Sequence, residues 1–330
     1  MNSMNRKIQV LRGLAIIAVV IIHSCPGAMA GIFIRAIVNF AVAMFLFCSG
    51  YLTKTSYSDI GKFYKRRMIR VGIPYVIWSM AYTLAFAVRD GVYSGLPGKY
   101  FLNLIYGTAN FSLYFMIVYM LFTLWTPLIG KLAESRFKWA GFLVTPVYMI
   151  LTSYLTRIFR ISIIPSTITP FLRLQWFHFY YLGMILGNHL ICYKNSKKRT
   201  VLIYLCTLLV SLAESFYWNH LGNYTMATTQ ARLGCMLSSS CACVLAYQYL
   251  EDKNITGSTA WEKKLSWIGD YSFGIYLMHV MVIGALGRVP EYDSLPFPVN
   301  TLLILLITIF GLLVLEKMFK GKANRILGIR

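Results

Sequence analysis

Ten mostly apolar stretches, each about 20 residues long, follow one another along this chain. They cover about 8–29, 32–53, 71–88, 111–130, 139–158, 171–192, 200–218, 229–249, 267–287 and 298–316. A helix rises ~1.5 Å per residue, so about 20 residues cross the ~30 Å hydrocarbon core of a bilayer. Lipid offers no partner to backbone N–H and C=O groups, which restricts spanning structures to helices and closed barrels. Runs of this length select helices. Composition agrees, because 58% of the 330 residues are apolar and 13% charged. A soluble domain carries about a quarter charged residues and has polar surface to match. The sequence therefore predicts an all-α polytopic membrane protein with about ten transmembrane helices. Residues 1–330 read as a single membrane-embedded domain with no internal repeat.

Net charge is +21, from 32 Lys and Arg against 11 Asp and Glu. A basic balance can mark a nucleic-acid binder. Here the cations lie in short segments between apolar runs, so nucleic acid is not an expected partner. Ten spans put both termini on one side. That side holds 24 cations, in the N-terminal segment through Arg12, in 54–70, 131–138, 192–200 and 250–266, and in the tail. The opposite side holds the other eight, Arg35, Arg173 and Arg232 among them. The positive-inside rule makes the cation-rich side cytoplasmic, giving a multi-pass protein of the inner or plasma membrane with both termini inside. Arg6 and Lys7 before an apolar run, with Ala28-Met29-Ala30 after it, imitate a signal peptide. Polar residues within that run and the many spans that follow favour a retained first helix. The seven cysteines form no C-x-x-C pair, which gives no indication of zinc or a disulfide framework. In the outer connection 89–110, Tyr100–Tyr106 is apolar but too short to span, and is expected at the interface or as a re-entrant segment.

A charge at bilayer depth costs ~2.5–3.5 kcal/mol by insertion scales, so ionisable residues inside the runs carry the functional signal. Arg12 and His23 are eleven residues apart in the first run. Eleven residues turn a helix through three turns and about 20°, and separate the two by ~16 Å along the axis. One helix face thus presents a cation near the cytoplasmic surface and an imidazole near mid-membrane. Arg67 and Arg70 lie one helical turn apart and can fork onto phosphates; a topology signal or an anionic-lipid patch accounts for them equally. Ser49 and Gly50 mark a close helix approach. The ninth run places Asp270 as a first-turn acid, with Tyr276 and His279 deeper and His279 near the depth of His23. Arg173, His178, Glu214 and Arg232 sit in the outer halves of runs six to eight; there Glu214 needs a proton or a partner such as Arg232 or Arg173.

Four segments together resemble the acyltransferase-3 family of integral membrane acyltransferases. Arg12 to His23 is similar to its R-x10-H signature, Phe45 to Tyr51 to its F-x-x-S-G-Y element through Ser49-Gly50-Tyr51 with the phenylalanine one residue out of register, Arg67 to Arg70 with Pro74 to its R-x-x-R segment, and Ser272 to His279 to its closing S-x-G-I-Y-L-x-H element. Leu113-Tyr114-Phe115-Met116 departs from the family's Leu-Trp-Phe-Leu. The resemblance implies transfer of a short acyl group, usually acetyl, from cytoplasmic acyl-CoA to a carbohydrate hydroxyl, such as one on a surface polysaccharide or lipid-linked glycan. It implies His23 as catalytic base and Arg12, Arg67 and Arg70 as donor contacts. Tyr276, His279, Ser49, Arg173, His178 and Glu214 are candidates for the acceptor or the oxyanion. Acyl-CoA is a substrate, and no metal or tightly bound cofactor is expected. The expected partners are acyl-CoA, the glycan and membrane lipid. A transporter or flippase for a glycan or anion is the alternative, since midplane polar residues suit it too. A Mg²⁺-dependent membrane enzyme lacks the carboxylate cluster it would need.

Overall fold

A computed structural model describes residues 3–161, 163–164, 169–252, 259–292 and 294–330, and these are predominantly helical, with no strand among them. The helices are α1 (Ser3–Ser24), α2 (Ala28–Val38), α3 (Phe40–Tyr51), α4 (Ile60–Asp90), α5 (Leu96–Tyr106), α6 (Tyr114–Glu134), α7 (Lys138–Ile158), α8 (Phe177–Gly187), α9 (Lys197–His220), α10 (Leu233–Glu251), α11 (Ala260–Asp270), α12 (Ser272–Leu286), α13 (Val299–Met318) and α14 (Lys322–Ile326). Among the described residues, eight segments are long and apolar enough to cross a membrane; α2 and α3 run together as one of them. A ninth is the pair α11 and α12, bent by 70°.

The expected span at 171–192 is not one continuous helix. It becomes α8, 11 residues long, which rises only ~16 Å against a ~30 Å core. Arg173 adopts a left-handed backbone with φ 36°, which interrupts helix just before it, and His189 does the same after it with φ 54°. Phe177 through Leu186 are all buried, so this short helix stands within the protein against α3 and α6 rather than against lipid. The bend between α11 and α12 moves Asp270 from the first turn of a span to the last residue of α11.

Residues 54–70 are also not a simple loop. The Asp59 carboxylate accepts the Lys62 N–H at 2.8 Å and starts α4 ten residues before the apolar run. At 31 residues α4 is ~46 Å long, so its first turns carry Arg67 and Arg70 beyond the hydrocarbon. Gly91, with φ 65°, ends it in a left-handed cap. The outer connection forms α5, which has no buried residue and is too short to span. Lys253, one cation of the 250–266 connection, lies outside the described residues.

Two glycine contacts set the relative positions of the elements that carry the candidate motifs. α1 crosses α11 where a Cβ on Gly13 would collide with the Leu265 carbonyl and a Cβ on Gly269 with that of Gln9. α3 crosses α8 in the same manner at Gly50 and Gly183, the close approach expected of Ser49-Gly50. The atoms in the way are backbone, which cannot rotate aside. Gly269→Ala is therefore expected to destabilise the fold by about 1–3 kcal/mol, the usual cost of overpacking. The check is a thermal midpoint in detergent; an unchanged midpoint would show that the two helices separate freely.

Candidate active site

His23 is the penultimate residue of α1 and sits half-buried in the wall of a cavity of about 290 Å³. Its ring is held between Phe111, with centroids 4.8 Å apart, and His279, at 5.4 Å. Similar depth is expected for both histidines from their places in the apolar runs, and the fold makes them neighbours. His279 is fully buried behind His23 and does not line the cavity. Its Nδ1 lies 3.0 Å and 2.8 Å from the carbonyl oxygens of Ile275 and Tyr276. Two acceptors at Nδ1 place the proton there, so Nε2 carries a lone pair, and no protein group bonds to it. A buried acceptor without a partner beside the candidate base can take an N–H from His23 and fix which imidazole nitrogen faces the cavity.

Tyr276 lies on the same wall and donates its hydroxyl to the Ser112 carbonyl. Ser112 is fixed in turn, because Asn110 Oδ1 accepts both its N–H at 2.6 Å and its hydroxyl at 2.8 Å. Arg173 also lines the cavity, with its guanidinium 4.8 Å over the Tyr114 ring. So does Arg35, whose Nη2 donates to the Ile22 carbonyl at 2.9 Å, one residue before His23. Arg35, Ser112 and two glutamines, Gln175 and Gln230, complete polar parts of the wall that sequence reasoning did not single out. Arg35 carried a legible signal: it is a charge in an apolar run, the same criterion that drew attention to Arg12.

The other candidates lie elsewhere. His178 is buried against Phe142, with Nε2 2.9 Å from the Ser240 hydroxyl. Glu214 pairs with the fully buried Arg232 at 3.6 Å, and not with Arg173. The same carboxylate accepts the Gly234 N–H at 2.8 Å and the Tyr154 hydroxyl, so it caps the start of α10. Tyr154 belongs to a π-helical turn, Ile150–Tyr154, which follows Pro146 in α7. Neither His178 nor Glu214 reaches the cavity.

Beside the middle of α1 a second polar cluster forms. Arg12 bonds the Gln9 side chain at 3.2 Å and lies within electrostatic reach of Arg70 and Asp270. The glycine crossing at Gly13 and Gly269 explains this, since those residues adjoin Arg12 and Asp270. Arg67 donates to the Ser49 hydroxyl at 3.2 Å and to the Leu52 carbonyl at 3.5 Å, which joins the R-x-x-R segment to the S-G-Y element. Arg330 reaches Asp270 at 3.6 Å and Glu316 at 3.9 Å. None of Arg12, Arg67 and Arg70 lines the cavity. The chain thus has an imidazole site at the C-terminal end of α1 and an arginine cluster beside the middle of that helix, ~16 Å apart along its axis. No group of three or more His, Cys, Asp or Glu side chains is arranged to hold a metal among the described residues.

A family model described as an acyltransferase domain, Acyl_transf_3, matches residues 5–317, nearly the whole chain. No curated protein and no solved structure is detectably similar to it.

Proposed function

The chain belongs to the acyltransferase-3 family, a membrane acyltransferase acting on a hydroxyl, and from that membership we propose that it moves a short acyl group, acetyl first among them, from cytoplasmic acyl-CoA to a carbohydrate hydroxyl. The carrying observation is the pairing of His23 and His279 at the cavity wall, at one end of a helix whose middle holds Arg12 beside Arg70.

The chemistry follows from these groups. The coenzyme A pyrophosphate and 3′-phosphate are anions that suit Arg67 and Arg70, whose planar forks match phosphate oxygens. Those phosphates stay at the mouth, because entering hydrocarbon unpaired is costly. The pantetheine arm extends past Arg12 and brings the thioester toward His23, ~16 Å along α1. Neutral His23 takes the acceptor hydroxyl proton as the oxygen attacks the thioester carbonyl. The tetrahedral intermediate collapses, the C–S bond breaks, and the imidazolium returns the proton to the leaving thiolate. The products are the acyl ester and free coenzyme A. His279 Nε2 accepts from the protonated His23 and holds it in place, acting through His23 as a positioning residue. Enclosure in the membrane keeps water, the competing acceptor, from the thioester. In this reading the arginine cluster and both termini face the cytoplasm, as the distribution of cations along the sequence supports.

Purified protein in nanodiscs with radiolabelled acetyl-CoA and a panel of glycans tests transfer directly. Label moving to no glycan, with acyl-CoA neither bound nor hydrolysed, would defeat the reading. The donor site has its own test. Arg67→Ala and Arg70→Ala are each expected to weaken coenzyme A binding by about 10–100-fold, because a hydrogen bond to a charged group contributes ~1.5–3 kcal/mol. Lys at either position should restore little, since it lacks the fork. Unchanged affinity in the double variant would reduce the pair to a topology signal.

A further inference from the structure

The cavity beside His23 has a charge pattern that the acyl-transfer reading does not use. Two of its lining residues are arginines, Arg35 and Arg173, and no aspartate or glutamate lines it. They come from different parts of the chain, α2 and the segment before α8, and converge on one half-open cavity. Arg35 is tethered by a single nitrogen to the Ile22 carbonyl, which leaves the rest of its fork for another partner and sets it next to His23. Arg173 is stacked over Tyr114, which fixes the plane of its guanidinium. A cationic side chain such as Arg35 at membrane depth is expensive unless an anion joins it. The remaining polar wall consists of neutral groups, among them Gln175, Gln230 and Thr229, that suit ring hydroxyls. A volume of about 290 Å³ matches one substituted sugar ring more closely than a long chain.

From this we infer that the acceptor is an acidic sugar, whose carboxylate or phosphate is held by Arg35 and Arg173 while a neighbouring hydroxyl is presented to His23. The inference deepens the acyl-transfer reading and rests on it for the role of His23. The two arginines then select the acceptor and set its register, and the donor phosphates remain at the arginine cluster.

The test uses the full chain in nanodiscs and begins with binding, so that it does not depend on turnover. Calorimetric titrations compare methyl glucuronide, glucose 1-phosphate and methyl glucoside; the first two separate a carboxylate from a phosphate as the source of charge. At least one anionic sugar is expected to bind about tenfold or more tightly than the neutral one, the scale of one charge-assisted bond. Arg35→Gln should abolish that preference while coenzyme A binding at the arginine cluster confirms a folded protein. Arg173→Gln is a second, independent variant. Equal binding of all three sugars, or a preference that survives both substitutions, would overturn the inference. So would displacement of the glucuronide by coenzyme A, because the cavity would then be the donor's phosphate site. Transfer assays separate the two readings. Anion-selective binding without transfer from acetyl-CoA to any acceptor defeats the acyl-transfer reading and leaves the anion site standing. Transfer that ignores acceptor charge does the reverse.

Discussion

His23→Ala is expected to lower the rate of acyl transfer by about 10²–10⁴, the usual worth of a positioned general base. The variant should still fold, because His23 is half-buried at the last turn of α1 and the shortened side chain enlarges a cavity that already exists. Coenzyme A binding should be unchanged, since Arg67 and Arg70 lie on α4 and do not line the cavity beside His23. Single-turnover transfer with saturating donor is the measurement, and near-wild-type product formation would remove His23 from the mechanism. His279→Gln separates base from support. It should reduce kcat by about tenfold, one to two hydrogen bonds' worth, and leave KM for both substrates alone, because His279 lies behind His23 and outside the cavity. A rise in acceptor KM with kcat intact would instead make His279 a direct acceptor contact.

The helices and the alignment of Arg12 with His23 were legible in the sequence for different reasons. Span length against bilayer thickness is a strong constraint, and among the described residues eight helical segments and one bent pair are long and apolar enough to cross. It failed at 171–192, where apolar character comes from burial inside protein rather than from contact with lipid. Hydropathy cannot distinguish those two environments, and the left-handed backbone at Arg173 leaves no composition signal. The eleven-residue spacing of Arg12 and His23 was readable because both ride on a single rigid helix. The approach of His279 was not, since it depends on how α12 leaves the bend at Tyr271. Arg35 was missed because it was counted among the outer cations, although its position inside an apolar run is the kind of placement that demands a partner. Glu214 illustrates the converse. Sequence offered two cationic partners, and only the packing of α9 against α10 selects Arg232.

That pair supports the second large effect. Arg232→Ala is expected to destabilise the protein by about 3–5 kcal/mol, the cost of stranding one partner of a buried ion pair. Arg232 is fully buried, and its guanidinium also donates to the Ser211 carbonyl at 3.1 Å and the Thr229 carbonyl at 3.1 Å. Removing it leaves the Glu214 carboxylate without its cation and two carbonyls with fewer donors. Thr229, Gln230 and Ala231 form part of the cavity wall and end at Arg232, so the damage should reach acceptor binding as well as stability. Arg232→Met combined with Glu214→Gln should recover most of the loss, because a buried pair replaced as a unit by groups of similar volume is often close to neutral. Glutamine keeps its carbonyl oxygen as acceptor for the Gly234 N–H, and its amide N–H can donate to the Tyr154 hydroxyl, which now donates to Glu214. Thermal unfolding of the single and double variants in one detergent measures the coupling. If Arg232→Ala unfolds at the wild-type temperature yet loses transfer, then Arg232 acts on substrate and the ion pair is incidental; if the double variant is no better than the single, the hydrogen bonds to Ser211 and Thr229 matter more than the charge.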